Sequence, residues 1–172
     1  ARQPNSFGGG AQTNINGLTF ERDMNLLTVI DALPNFHTVN NKIYLKNILV
    51  AEHFSKYGWY KNYLLLNQIN WQDFISSQLL PDDVLITQKS CYIIEKKFQN
   101  TGGSVDEKLT TFPFKTQQYQ KMFTPLGKQV HFYYLLSEWF DKPKYKDPLQ
   151  YKRTKSVLAK NKGNNKHRRK SG

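Results

Sequence analysis

A single cysteine, Cys91, in 172 residues excludes a disulfide framework and any zinc site built from several thiolates. No apolar run approaches the ~18 residues needed to cross a bilayer, which excludes a membrane-spanning helix. No signal-type segment with basic, apolar and small-residue parts opens the sequence, so secretion is not expected. No G-x-x-x-x-G-K-[ST] loop is present, and nucleoside triphosphate binding is not expected. Gly8-Gly9-Gly10 reads instead as a flexible leader. His37, His53, His131 and His167 lack metal-ligand spacing and read as structural. Acidic residues are scarce as well: 13 Asp and Glu stand against 25 Lys and Arg, a formal net charge of +12. Such an excess points to a polyanionic partner, either nucleic acid or an anionic membrane face. Hydrophobic content is low at 38%, but aromatic content of 14% is too high for a wholly disordered chain. The length suits about one domain.

The positive charge is concentrated. Residues 152–172 hold nine basic residues and no acid, leaving residues 1–151 at a net +3. That stretch has almost nothing to bury beyond Val157, Leu158 and Ala159. It is therefore expected to be a disordered basic tail whose cations, Arg168 and Arg169 among them, contact phosphates. The run Lys166-His167-Arg168-Arg169-Lys170 also has the form of a nuclear address, beside the general expectation of a cytoplasmic protein.

Ahead of the tail, residues 1–17 read as a Gly- and Asn-rich leader loop. Apolar spacing predicts a helix from Leu18 to Leu33, capped by Asn16 or Thr19 and stopped before Pro34. Residues 39–54 read as a strand followed by a short helix. Trp71–Leu80 reads as a short helix ended by Pro81. Val84-Leu85-Ile86 and Cys91–Phe98 read as two strands of a hairpin. Helices are expected at 106–109 and 116–123, and a further strand at 129–136. Trp59 and Tyr60 are expected in the core, and Cys91 reads as a small core residue rather than a nucleophile.

One group of charges stands out against this background. Pro81-Asp82-Asp83 opens the first strand of the hairpin, and Glu95-Lys96-Lys97 closes the second. Alternation along a strand puts Glu95 and Lys97 on one face and Lys96 on the other. The antiparallel partner can bring Asp82 or Asp83 beside Glu95, and alternation lets only one of the two do so. Two carboxylates at close range repel unless a cation lies between them. Oxygen ligands of this kind, completed by water and phosphate oxygens, suit Mg²⁺. A neighbouring lysine can act on the attacking water and stabilise the charged transition state. Together these are the parts of a metal-dependent phosphodiester hydrolase. Glu95 also follows Tyr92-Ile93-Ile94, a run suited to a buried strand, where a charge is costly unless it has a task.

The residues Pro81-Asp82 and Ile93-Ile94-Glu95-Lys96-Lys97 resemble the PD-(D/E)XK nuclease superfamily, most closely a type II restriction endonuclease. Phe20-Glu21 resembles the helical glutamate of many members. Gly103-Ser104-Val105-Asp106-Glu107-Lys108-Leu109, with Phe114-Lys115 and Tyr119, resembles a stretch that follows the catalytic strand in some restriction-type members. The resemblance spans roughly residues 14–123. It implies an α/β restriction-endonuclease-like core, with a central mixed sheet of about four to five strands flanked by helices, inside a domain of residues 1–151. It further implies that Asp82 and Glu95 hold Mg²⁺ (or Mn²⁺), with Asp83 in reserve. Lys97 would work on water and Glu21 would be an accessory acid. Gln99, Lys96, Lys115 and Tyr119 are further candidates for contact with DNA. The partner would be double-stranded DNA, cut by a homodimer at a short specific sequence. The competing expectations are a structure-specific nuclease, such as a Holliday-junction resolvase or repair enzyme, and a non-catalytic nucleic-acid-binding module.

Overall fold

A computed structural model describes residues 25–98, 109–145 and 159–160. These residues form an α/β fold around one mixed sheet. Seven strands lie in sequence order: β1 (Phe36–Val39), β2 (Lys42–Leu45), β3 (Ile48–Phe54), β4 (Asp83–Ile86), β5 (Ser90–Lys97), β6 (Gln129–Leu136) and the two-residue β7 (Ala159–Lys160). From β1 to β5 each neighbour pair is antiparallel. β5 and β6 run parallel, as do β6 and β7. Two α-helices among the described residues accompany the strands, α1 (Leu26–Asp31) and α2 (Phe112–Phe123). No helix among the described residues is long and apolar enough to cross a membrane.

Short β-branched and aromatic runs explain the strands. β5 alternates between more and less buried residues until Glu95 and Lys96, which are both buried. β6 alternates throughout, with Val130, Phe132, Tyr134 and Leu136 inward. The parallel β5–β6 pair needs a crossover, and α2 supplies it. Pro113 at the start of α2 suits a first turn, where its missing N–H removes no helical bond. α2 lays Tyr119, Met122 and Phe123 on Ile93, Cys91 and Phe132 in a single core. Trp59 fills the centre of that core, stacked on Phe123 with ring centroids 5.8 Å apart. Trp59 and Tyr60 are thus packing residues and Cys91 a buried one, as their settings in the sequence suggest.

Several local expectations need correction. Residues 39–54 hold no helix: β2 and β3 form a hairpin through Lys46-Asn47, both at positive φ (50° and 68°). That backbone is the primed turn that tight hairpins favour, and Asn47 tolerates it well. The 71–80 segment is helical only over Trp71–Asp73. Asn70 caps this turn through Gln72 N and also bonds Asp73, a local arrangement that competes with a longer helix. Of the expected Leu18–Leu33 helix, the described part is Leu26–Asp31, and Asn25 caps it by accepting from Leu27 N and Thr28 N. The 116–123 helix begins earlier, at Phe112. Ala159 and Lys160 add to the edge of the sheet inside the stretch expected to be disordered. Backbone pairing to an open strand edge requires no apolar side chain, so composition did not signal it.

Candidate functional site

The sheet brings the acids of residues 82–83 and 95 to one end of β4 and β5. Asp83 pairs with Ile94 in the β4–β5 ladder. Continued by one residue, that register sets Asp82 opposite Glu95, and directly opposed residues share a face. Asp83 falls on the other face. The two aspartates, indistinguishable by composition, are thereby separated.

On the face that carries α2, Glu95 is 4% exposed. Its Oε1 accepts from Lys115 Nζ at 2.6 Å, and Lys97 Nζ lies 3.0 Å from its Oε2. The Lys97 contact is an ion pair outside hydrogen-bond geometry, so Oε2 is buried without a hydrogen-bond donor. Asp82 Oδ2 accepts from the Lys96 backbone N–H at 2.6 Å. Asp82 Oδ1 is paired with Lys56 Nζ. Lys56 is rooted beside the acid because its own N–H donates to Pro81 O (2.9 Å). Two carboxylates and three ammonium groups therefore converge at the open end of the apolar core. Tyr119 lies beneath them, fully buried, its hydroxyl without a hydrogen-bond partner. Burial raises the Tyr119 pKa, and the nearby charges of Glu95 and Asp82 raise it further, so the phenol stays protonated.

The opposite face carries a second charged group. Asp83 Oδ1 is 2.8 Å from His53 Nε2 on β3, and its Oδ2 is 2.9 Å from Lys96 Nζ on β5. Asp83 and Lys96 are 5% and 8% exposed. Burial by itself would raise the Asp83 pKa, but the bonds from His53 and Lys96 outweigh it and hold the carboxyl below its ordinary value. Lys96 links the two groups, with its backbone on Asp82 and its side chain on Asp83.

Comparison with family models, with curated proteins and with solved structures finds no match. The chemistry must be read from geometry. Asp82, Glu95, Lys97 and Lys115 are brought together. Two expected DNA contacts are corrected. Lys96 is committed to Asp83 inside the sheet, because alternation turns it away from Glu95. Tyr119 is packed into the core, with its ring 5.7 Å from that of Trp59, and offers no surface to a duplex. Glu21, Gln99, Arg168, Arg169 and the 103–108 stretch lie outside the described residues. Sequence reasoning missed Lys56 and the His53–Asp83 bond. Both join residues roughly thirty positions apart, and no local pattern announces such a pairing.

The donor set fits a hard divalent cation of the Mg²⁺ type. It offers two carboxylates on one face and a buried Glu95 oxygen with no hydrogen-bond donor. No group of three or more His, Cys, Asp or Glu among the described residues could hold a metal ion by itself. Mg²⁺ is commonly held by one or two carboxylates, with water and substrate phosphate oxygens filling its remaining positions. A closed zinc site would need four protein ligands.

Proposed function

We propose that the chain is a Mg²⁺-dependent endonuclease of the PD-(D/E)XK, restriction type, cutting double-stranded DNA at a short specific sequence as a homodimer. The observation that carries this reading is the placement of Asp82 and Glu95 on one face of adjacent strands, with Lys97 Nζ 3.0 Å from Glu95 Oε2. The mixed sheet with α2 against it is compatible with the core such an enzyme would have.

Asp82 and Glu95 would hold the metal, and Mn²⁺ could replace Mg²⁺. The bound cation would neutralise charge on the scissile phosphate and lower the pKa of a coordinated water. The other parts belong to the chain. Lys97 is tethered to the same strand as Glu95, so its ammonium is fixed beside the attacking water, where it orients that water and takes part in its proton transfer. Lys115, on α2, pairs with Glu95 Oε1 and brings a positive charge within reach of the phosphates of a bound strand. The Lys96 backbone N–H holds Asp82 in position. The apolar floor of Trp59, Tyr119 and Ile93 keeps bulk water from beneath the acids and strengthens each interaction above it. A twofold dimer would match the symmetry of a palindromic site.

The test is a plasmid digest with Mg²⁺. Wild-type protein is expected to give discrete fragments, and Glu95→Ala and Lys97→Ala to give none. Equal cleavage by all three overturns the assignment. Cutting confined to branched DNA would instead indicate a structure-specific nuclease. Salt-sensitive binding with no cutting would indicate a binding module.

A further inference from the structure

Each carboxylate oxygen of the candidate metal pair already has a cationic or N–H neighbour. Glu95 Oε1 has Lys115, Glu95 Oε2 has Lys97, Asp82 Oδ1 has Lys56, and Asp82 Oδ2 has the Lys96 backbone N–H. A cation entering between Asp82 and Glu95 must compete with some of these. The four contacts are not equally replaceable. The Lys96 N–H is fixed in β5, and Lys97 is tethered two residues from Glu95 on the same strand. Lys56 and Lys115 reach in from other elements, and their side chains are 48% and 28% exposed. Both are long, flexible and open to solvent at the rim.

Charge gives the direction of exchange. Two carboxylates and three ammonium groups sum to +1, and a divalent cation raises the sum to +3. In that state the two rim ammonium groups repel the ion and each other, while a phosphodiester strand offers anionic oxygens beside them. On the basis of the nuclease reading above, we propose that Lys56 and Lys115 are exchangeable counter-ions. They neutralise Asp82 and Glu95 in the metal-free protein and transfer to phosphates flanking the scissile bond when metal binds. Metal and DNA then bind with positive linkage, each favouring the lysine positions that the other requires. The arrangement would also keep a pair of partly buried acids compensated before metal arrives.

The inference makes two predictions of opposite sign for one substitution. Without DNA, Lys115→Met or Lys56→Met removes a competitor, so the Kd for Mn²⁺ should fall by about two- to fivefold, the strength of a partly exposed ion pair. With Ca²⁺ present, the same variants should bind a duplex of about 30 base pairs more weakly. Their log K against log salt slope should fall by about 0.9 for each lost phosphate contact. Lys115→Arg, which keeps the charge, should resemble wild type in both assays. Metal binding is read by titration calorimetry and duplex binding by fluorescence anisotropy, and thermal melting first establishes that each variant is folded. If wild type binds Mn²⁺ and neither Met variant tightens it, the exchange is wrong while the metal site stands. If Met variants tighten Mn²⁺ but leave duplex affinity and salt slope unchanged, transfer to phosphate is wrong. If wild type binds no Mn²⁺ either alone or with the duplex present, both the exchange and the nuclease reading fall.

Discussion

Substituting Lys96 by Met is the most informative perturbation of the sheet itself. Lys96 and Asp83 are both below a tenth exposed and meet at 2.9 Å. Removing the ammonium leaves a buried carboxylate that has lost one of its two side-chain partners. Breaking a buried pair on one side costs about 3–5 kcal/mol. His53 still reaches Asp83 Oδ1, so the lower end, about 3 kcal/mol, is expected at pH 7. For a chain of this size that is roughly a 6–12 °C fall in Tm. Replacing both partners, Lys96→Met with Asp83→Leu, removes the orphaned charge and should recover most of the loss. The pH dependence has a definite sign. The Asp83 pKa is held down in the folded protein. Its contribution to wild-type stability is therefore present above the unfolded value of about 3.9 and is lost as pH falls through the folded value. In Lys96→Met, burial favours the neutral acid, so the variant gains relative to wild type on acidification and the gap closes below about pH 4. Thermal and urea denaturation of the two variants between pH 3 and 8 provide the measurement. A loss under about 1 kcal/mol for Lys96→Met at pH 7, or a double variant no more stable than the single, would refute the buried ladder.

Three further outcomes follow from particular atoms. The Tyr119 hydroxyl is buried without a partner, so Tyr119→Phe should stabilise the protein by about 1 kcal/mol; a clear loss in urea denaturation would mean that the hydroxyl is satisfied. The Cys91 thiol is fully buried and its pKa is pushed up by that burial; it should resist a thiol reagent in the native protein and react at the rate of unfolding. Rapid labelling under native conditions would contradict this. If the basic tail contacts phosphates, Arg168→Ala with Arg169→Ala should lower the salt slope of duplex binding by up to about two, and an unchanged slope would place those cations away from DNA.

Patterns confined to neighbouring residues were legible in the sequence. The β-branched and aromatic runs at 84–86, 91–98 and 129–136 marked three strands, found at Asp83–Ile86, Ser90–Lys97 and Gln129–Leu136, because strand burial repeats every second residue and leaves its period in the chain. The same period set Glu95 and Lys97 on one face and Lys96 on the other before any contact was known. Helix and turn boundaries were less legible. The Lys46-Asn47 turn depends on two left-handed residues, of which only Asn47 advertises that conformation. At residues 71–80, Asn70 and Asp73 close a single turn, and Phe74, Ile75 and Leu79 reach the core without a helix.

The sequence by itself determined that acids, few in a basic chain, sit at the ends of two strands with lysines at fixed spacing. It could not assign their partners. Which aspartate stands opposite Glu95 was decided by the β4–β5 register, since a shift of one residue exchanges the two faces. Lys56 and Lys115 meet the acids only because the β3–β4 connection and α2 return to the same end of the sheet. His53 meets Asp83 across a strand pair that spans thirty positions. Local chemistry lays out the groups along the chain, but ion pairs form between groups brought near in space, and the strand pairing and helix packing fix that proximity.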